Sequence, residues 1–178
     1  DSAGELGMRI RALLKDTTGA AAVEFAIIAP LFFVMVFSVI EMGWTMTKQM
    51  MLDRAMDRVV RELRIGRSEG FTVDYVRDRI CSEATIFSSC SAEMLVEMVP
   101  VPAGSAYPDA NATCATESTK VKPVTQFDPG HRSEVVFTRS CVGVTPLTPG
   151  IGFGMHLRYN ADDGFFMTSE SALLNEPE

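Results

Sequence analysis

AAAVEFAIIAPLFFVMVFSVI, residues 20–40, holds one charged side chain, Glu24, in 21 positions. As a helix it would reach about 31 Å at ~1.5 Å per residue, close to the ~30 Å hydrocarbon core of a bilayer. A helix of a globular core buries one stripe and turns a polar face to water. This run has no polar face, so it reads as a single membrane span. Trp44 lies one turn beyond its end, where an interfacial aromatic is expected. A removable secretory signal has a shorter apolar region and a small-x-small cleavage site at its C-terminal end. Here Glu41, Met42, Gly43 and Trp44 offer no such site. The small residues Gly19, Ala20, Ala21 and Ala22 sit at the opposite end, so processing there leaves the helix in the mature protein.

Outward from the span, the basic residues balance. Arg9, Arg11 and Lys15 precede it, and Lys48, Arg54 and Arg58 follow it, so the positive-inside rule gives no orientation. The cysteines are the better guide. Cys81, Cys90, Cys114 and Cys141 form an even set with no Cys-x-x-Cys and no nearby histidine, which speaks against zinc and for disulfides. Disulfides place the C-terminal portion outside the cytoplasm. Four cysteines allow three connectivities. Neighbourhood along the chain favours Cys81–Cys90 with Cys114–Cys141, and buried free thiols are the alternative.

The run Thr18, Gly19, Ala20, Ala21, Ala22, Val23, Glu24, Phe25, Ala26 resembles the class III leader junction of type IV-like prepilins. Gly19 through Pro30, followed by the apolar run, is similar to the TadE-like minor pseudopilins of the Tad (tight adherence) pilus. The ending Ser171, Ala172, Leu173, Leu174, Asn175, Glu176, Pro177 resembles the Asn-Glu-Pro ending common in that family. The likeness is strong over 16–66, thin over 90–165, and returns at the end. Flp major pilins share the junction but are much shorter. The resemblance implies that residues 1–19 are a cytoplasmic leader and that a prepilin peptidase cuts between Gly19 and Ala20. It further implies that Glu24 and Phe25 are the Glu-aromatic pair of the new N-terminus. The implied partners are membrane lipid, the peptidase, and other pilins and pseudopilins of the Tad system, a TadF- or TadG-like protein among them. The implied place is the bacterial inner membrane, single-pass with a periplasmic C-terminal domain, or the extracellular pilus.

Physical chemistry gives the same residues reasons. Gly19 has no side chain to obstruct a protease. A charge at membrane depth costs about 2.5–3.5 kcal/mol at the centre of the span, less four residues in, and a partner amine lowers it further. Glu24 is thus a candidate for positioning the subunit against its neighbours; the alternative is an interfacial carboxylate that reaches water. Pro30 lacks an amide hydrogen and leaves the Ala26 carbonyl unbonded, so a helix kink is expected there.

Past the span, Leu52, Met56, Val59 and Leu63 recur at spacings of three and four, while Asp53, Arg54, Asp57, Arg58, Arg61 and Glu62 take the other face. The helix is expected to run to about Arg64 and stop at Gly66, so that residues 20–66 form one long helix. Residues 67–178 form the head. Thr72 is placed to cap a second helix carrying Val73, Val76, Ile80 and Ala84, with Cys90 in the loop that follows. Met94–Val99 reads as a strand ended by Pro100 and Pro102, and residues 101–131 as a long exposed loop held by Cys114. Glu134–Val144 reads as the best strand, followed by a Pro/Gly loop over Thr145–Gly154. His156–Tyr159 and Phe165–Thr168 flank Asn160–Gly164 as a hairpin signal. The fold class is α+β: a long pilin-like helix, a short helix and a small antiparallel sheet packed on the lower helix.

The composition limits function. A net charge of −7 and no basic cluster argue against nucleic acid. His131 and His156 are far apart in sequence and lie in no motif, Asp162 and Asp163 lack calcium-loop spacing, and Gly150–Gly154 lacks the strand–helix context of a phosphate loop. The Asn111, Ala112, Thr113 sequon reads as incidental. No catalytic, cofactor or metal site is expected, and the chain reads as a non-enzyme. The rival reading is an uncleaved, membrane-anchored periplasmic binding or enzyme domain.

Overall fold

The computed structural model describes residues 19–65, 71–88, 90–108, 114, 126–131, 133–157 and 164–175. Residues 1–18 of the expected leader, the sequon, Gly66 and residues 158–163 lie outside them, as do the final Glu176, Pro177 and Glu178.

Helix α1 spans Ala20–Ile65, 46 residues, or about 69 Å at ~1.5 Å per residue. Its first backbone bonds are the Ala22 and Val23 amides to the Gly19 carbonyl, both 3.1 Å. The chain changes partner along this helix. Over its first twenty residues nothing is buried, and over the second half Leu52, Ala55, Met56, Val59, Val60 and Leu63 turn into the core. That spacing of three and four is the stripe read from the sequence, widened by Ala55 and Val60. The opposite face pairs between helices: Glu62 accepts from Arg79 Nη2 at 2.9 Å and from the Tyr75 hydroxyl at 2.8 Å, and Arg58 pairs with Glu83.

Helix α2, Val73–Glu83, is capped as its sequence predicts: the Tyr75 amide donates to Thr72 Oγ1 at 3.2 Å. Val76 and Ile80 are fully buried against α1. Cys81 is bonded to Cys90, with Cα atoms 5.5 Å apart. Cys90 opens the one-turn helix α3, Cys90–Glu93, where the sequence suggested a loop.

Three antiparallel strands follow in the order β1 (Leu95–Val101), β2 (Val135–Val144) and β3 (Phe165–Leu174). The α+β class is the one expected, with three differences in detail. First, β1 runs through Pro100. On its outer edge the Met98 amide donates to the Gln126 carbonyl, and the Asp128 amide to the Met98 carbonyl, both at 2.9 Å. Residues two apart face the same way, so the missing Pro100 amide would also point outward and the ladder to β2 loses nothing. Second, His156 and Leu157 belong to a 3₁₀ turn, Gly152–Leu157, that includes part of the stretch read as loop. Third, β3 pairs along its whole length with β2, from Val144↔Phe165 to Val135↔Leu174, and the described part of the expected hairpin partner, His156 and Leu157, is not a strand.

The inner face of the sheet, Val136, Val142 and Val144 of β2 with Met167 and Leu173 of β3, meets the α1 stripe. Gln49 Nε2 fastens β3 to α1 through the Thr168 carbonyl at 2.8 Å. On the outer face Glu97, Arg139 and Glu170 stand in direct cross-strand register. Arg139 Nε donates to Glu170 at 2.9 Å and its guanidinium lies 5.2 Å from the Phe137 ring centre. Cys114 is buried and bonded to Cys141 on this same face. Asn175 closes the sheet. Its amide group donates to the Pro129 and His131 carbonyls at 2.9 and 3.0 Å, and its backbone bonds Glu134 and Ser133.

Candidate functional site

About a dozen large apolar side chains between Val23 and Ile40 are exposed, Phe25, Ile27 and Leu31 by two-thirds or more. Each would gain ~1.5–3 kcal/mol on burial, so the set stands at roughly 20–35 kcal/mol. A whole domain keeps only ~5–15 kcal/mol of net stability. An uncovered rod of this kind is therefore untenable in water, and lipid or other helices must cover it. Among the described residues α1 is the one helix long and apolar enough to cross a membrane.

Gly19 lies exposed at the mouth of this rod, and an added Cβ would meet nothing within 4 Å. Ala20 is the first helical residue, and Glu24 and Phe25 are exposed one turn further. The helix continues through Pro30. The structure thus sets Gly19, Ala20, Glu24 and Phe25 together at one end, with Pro30 some 15 Å along at ~1.5 Å per residue. The four cysteines lie in the head, remote in sequence from that end.

A second constellation lies at the opposite end of the apolar run, and the sequence reading did not assign it. Glu41 is 1% exposed, although it directly follows a lipid-like stretch. Its carboxylate accepts from the Leu147 amide at 2.9 Å, the Thr148 amide at 2.8 Å and Thr148 Oγ1 at 3.0 Å. A buried carboxylate is tolerable when charge-assisted bonds replace water, and three do so here. Lys48, outside the span, has its pKa lowered by burial, an effect that the nearby Glu41 charge opposes. One turn before Glu41, Ser38 Oγ donates to the Val34 carbonyl at 2.7 Å and accepts from the Phe153 amide at 3.1 Å. Gly152 has φ +55°, and a Cβ there would collide with Ser38 Oγ. Only glycine lets the 3₁₀ turn approach α1 this closely. Glu41 meets Leu147 across 106 residues, and no local pattern forecasts such a pairing. The glycine-rich Gly150–Gly154 was the visible half of the signal.

His131 and His156 are both exposed, and no cluster of metal-binding side chains occurs among the described residues. Asp162 and Asp163 lie outside those residues.

Residues 19–61 match the family model described as TadE-like protein. The match begins at the predicted junction and ends four residues before the end of α1. It is consistent with a TadE-like protein of the Tad pilus, a pilin-like pilus component. No curated protein and no solved structure matches the chain.

Proposed function

We propose that the chain is a minor pilin-like subunit that supports assembly of a Tad/Flp adhesive pilus after a prepilin peptidase cuts between Gly19 and Ala20. The observation that carries this reading is the exposed apolar rod that starts at once after Gly19 and bears Glu24 in its second turn. The TadE-like match over the same residues supports it. In this reading residues 1–19 are a cytoplasmic leader, 20–66 the span and its amphipathic continuation, and 67–178 a periplasmic head. The protein is not an enzyme. It works by lateral packing of α1 against lipid and against the helices of other pilins in the inner membrane. Glu24 sets the register of that packing by meeting a cationic group, the freed Ala20 amine of its own chain or of a neighbour. Pro30 provides a bend where helices crowd together.

N-terminal sequencing and intact mass of the membrane-purified protein test the reading. Loss of residues 1–19 only in cells that have a prepilin peptidase is the expected result. A chain still intact at Gly19 in such cells overturns it in favour of an anchored periplasmic domain.

A further inference from the structure

Between Val144 and Leu157 the head carries no Asp, Glu, Lys or Arg, within a chain of net charge −7. Leu147, Ile151 and Met155 in this loop are 53%, 47% and 51% exposed. The loop is fixed to α1 at Ser38 and Glu41, and Gly152 approaches the Val34 carbonyl. If the span is counted from Ala20 at ~1.5 Å per residue, Val34 lies about 21 Å along and Glu41 about 32 Å along. The loop therefore stands beside the last third of the ~30 Å apolar length and just above it. Interfacial segments lie at this depth, ~5–10 Å into the boundary between headgroups and acyl chains.

Entry into that boundary requires backbone donors to be satisfied from within the protein. The loop meets part of this demand. The Leu147 and Thr148 amides go to Glu41, the Ile151 amide to the Thr148 carbonyl, the Phe153 amide to Ser38, and Pro146 and Pro149 have no amide hydrogen.

We infer that Thr145–Leu157 is a lipid-docking loop that inserts Leu147, Ile151 and Met155 into the outer leaflet beside the span and sets the depth and tilt of the head. The inference rests on the membrane-span reading of Ala20–Ile40. The ligand is the bilayer surface itself. Glu41 and Ser38 are positioning residues, since they hold the loop at the right height and do not touch lipid through their bonded oxygens.

Trp44 is the chain's one tryptophan, so a Trp44→Phe background accepts a single reporter. Three reporters, Phe32→Trp, Ile151→Trp and Met155→Trp, are placed in the full chain. Each is reconstituted in phosphatidylethanolamine–phosphatidylglycerol vesicles brominated either near the headgroups or near the chain ends. Phe32→Trp tests the span and should lose most of its emission to the deep bromines. Ile151→Trp and Met155→Trp should emit at shorter wavelength than in water and lose most of their emission to the shallow bromines only. If Phe32→Trp is quenched while both loop reporters are unquenched by lipid, the docking loop is overturned and the span stands. That holds whether the loop reporters are quenched by aqueous acrylamide or shielded by a second protein copy. If Phe32→Trp is unquenched, the span reading itself fails and takes the loop with it.

Discussion

At the scale of single residues, two carboxylates on α1 have opposite surroundings. Glu24 is exposed on a face that lipid or a sister helix must cover, and Glu41 is buried with three donors. Glu41→Ala leaves the Leu147 and Thr148 amides without an acceptor, at a cost of ~2–4 kcal/mol in unfolding free energy. Faster hydrogen exchange at those two amides is the measurement, and protection equal to the unaltered chain would dismiss the anchor. Glu62 supplies a pH dependence. Hydrogen bonds from Arg79 and Tyr75 hold its carboxyl below its ordinary value of 4.5. A depressed carboxyl stabilises the fold above its ordinary value, and that contribution disappears as pH falls through the depressed one. Acid titration should therefore loosen α2 from α1 below about pH 4.5. Glu62→Gln should flatten this part of the stability profile, as read by denaturation at stepped pH. Thr72 was legible because a cap is a local event. Glu41 was not, because its partners are backbone amides of a distant loop.

At the scale of elements, helices were more readable than strands. The stripe Leu52, Met56, Val59, Leu63 is a period that sequence displays directly, and it located the buried face of α1. β3 hid for the opposite reason. Its second half, Ser169, Glu170, Ser171, Ala172, Leu173, Leu174, contains no β-branched residue, so propensity alone disfavours a strand. Alternation decides it instead, with Met167, Ser169 and Leu173 inward and Thr168, Glu170 and Leu174 outward. Pro100 hid the end of β1 because its allowed place depends on which edge is free. The Cys114–Cys141 bond tethers the loop after β1 to the outer face of the sheet. Replacing both cysteines with serine should cost ~2–4 kcal/mol, a figure that depends on the state of the unfolded chain. A lowered melting temperature with unchanged far-ultraviolet dichroism would show it. An unaltered melting temperature would make the bond dispensable.

At the scale of the whole molecule, the α+β class and the long-helix plan were legible because one apolar run of membrane length has few other uses. The pairing of strands was not, since sheet order is a tertiary choice. Nor was the contact between head and span, which joins residues 34–41 to 147–153. Assembly belongs to this scale. Glu24→Gln keeps the shape and removes the charge, so membrane insertion should remain at the unaltered level while surface pili fall at least ~10-fold, equivalent to ~1.4 kcal/mol of lost subunit pairing. Counting pili by electron microscopy beside a membrane-fraction immunoblot separates the two. Normal piliation in the variant would take Glu24 out of the assembly step.

The position of β3 has a consequence for biogenesis. It follows every other described element of the head in chain order, yet it supplies inner-face residues against α1 and is fastened there by Gln49. In the proposed topology, with the head exported behind its helix, the core cannot be sealed until residue 174 has emerged. Cys81 and Cys90, nine positions apart, would then meet an oxidant well before that moment. Cys114 and Cys141 share a stretch still waiting for its last neighbour. Thiol trapping during export should catch the short crosslink first, with the latecomer strand acting as the latch that ends the exposed interval.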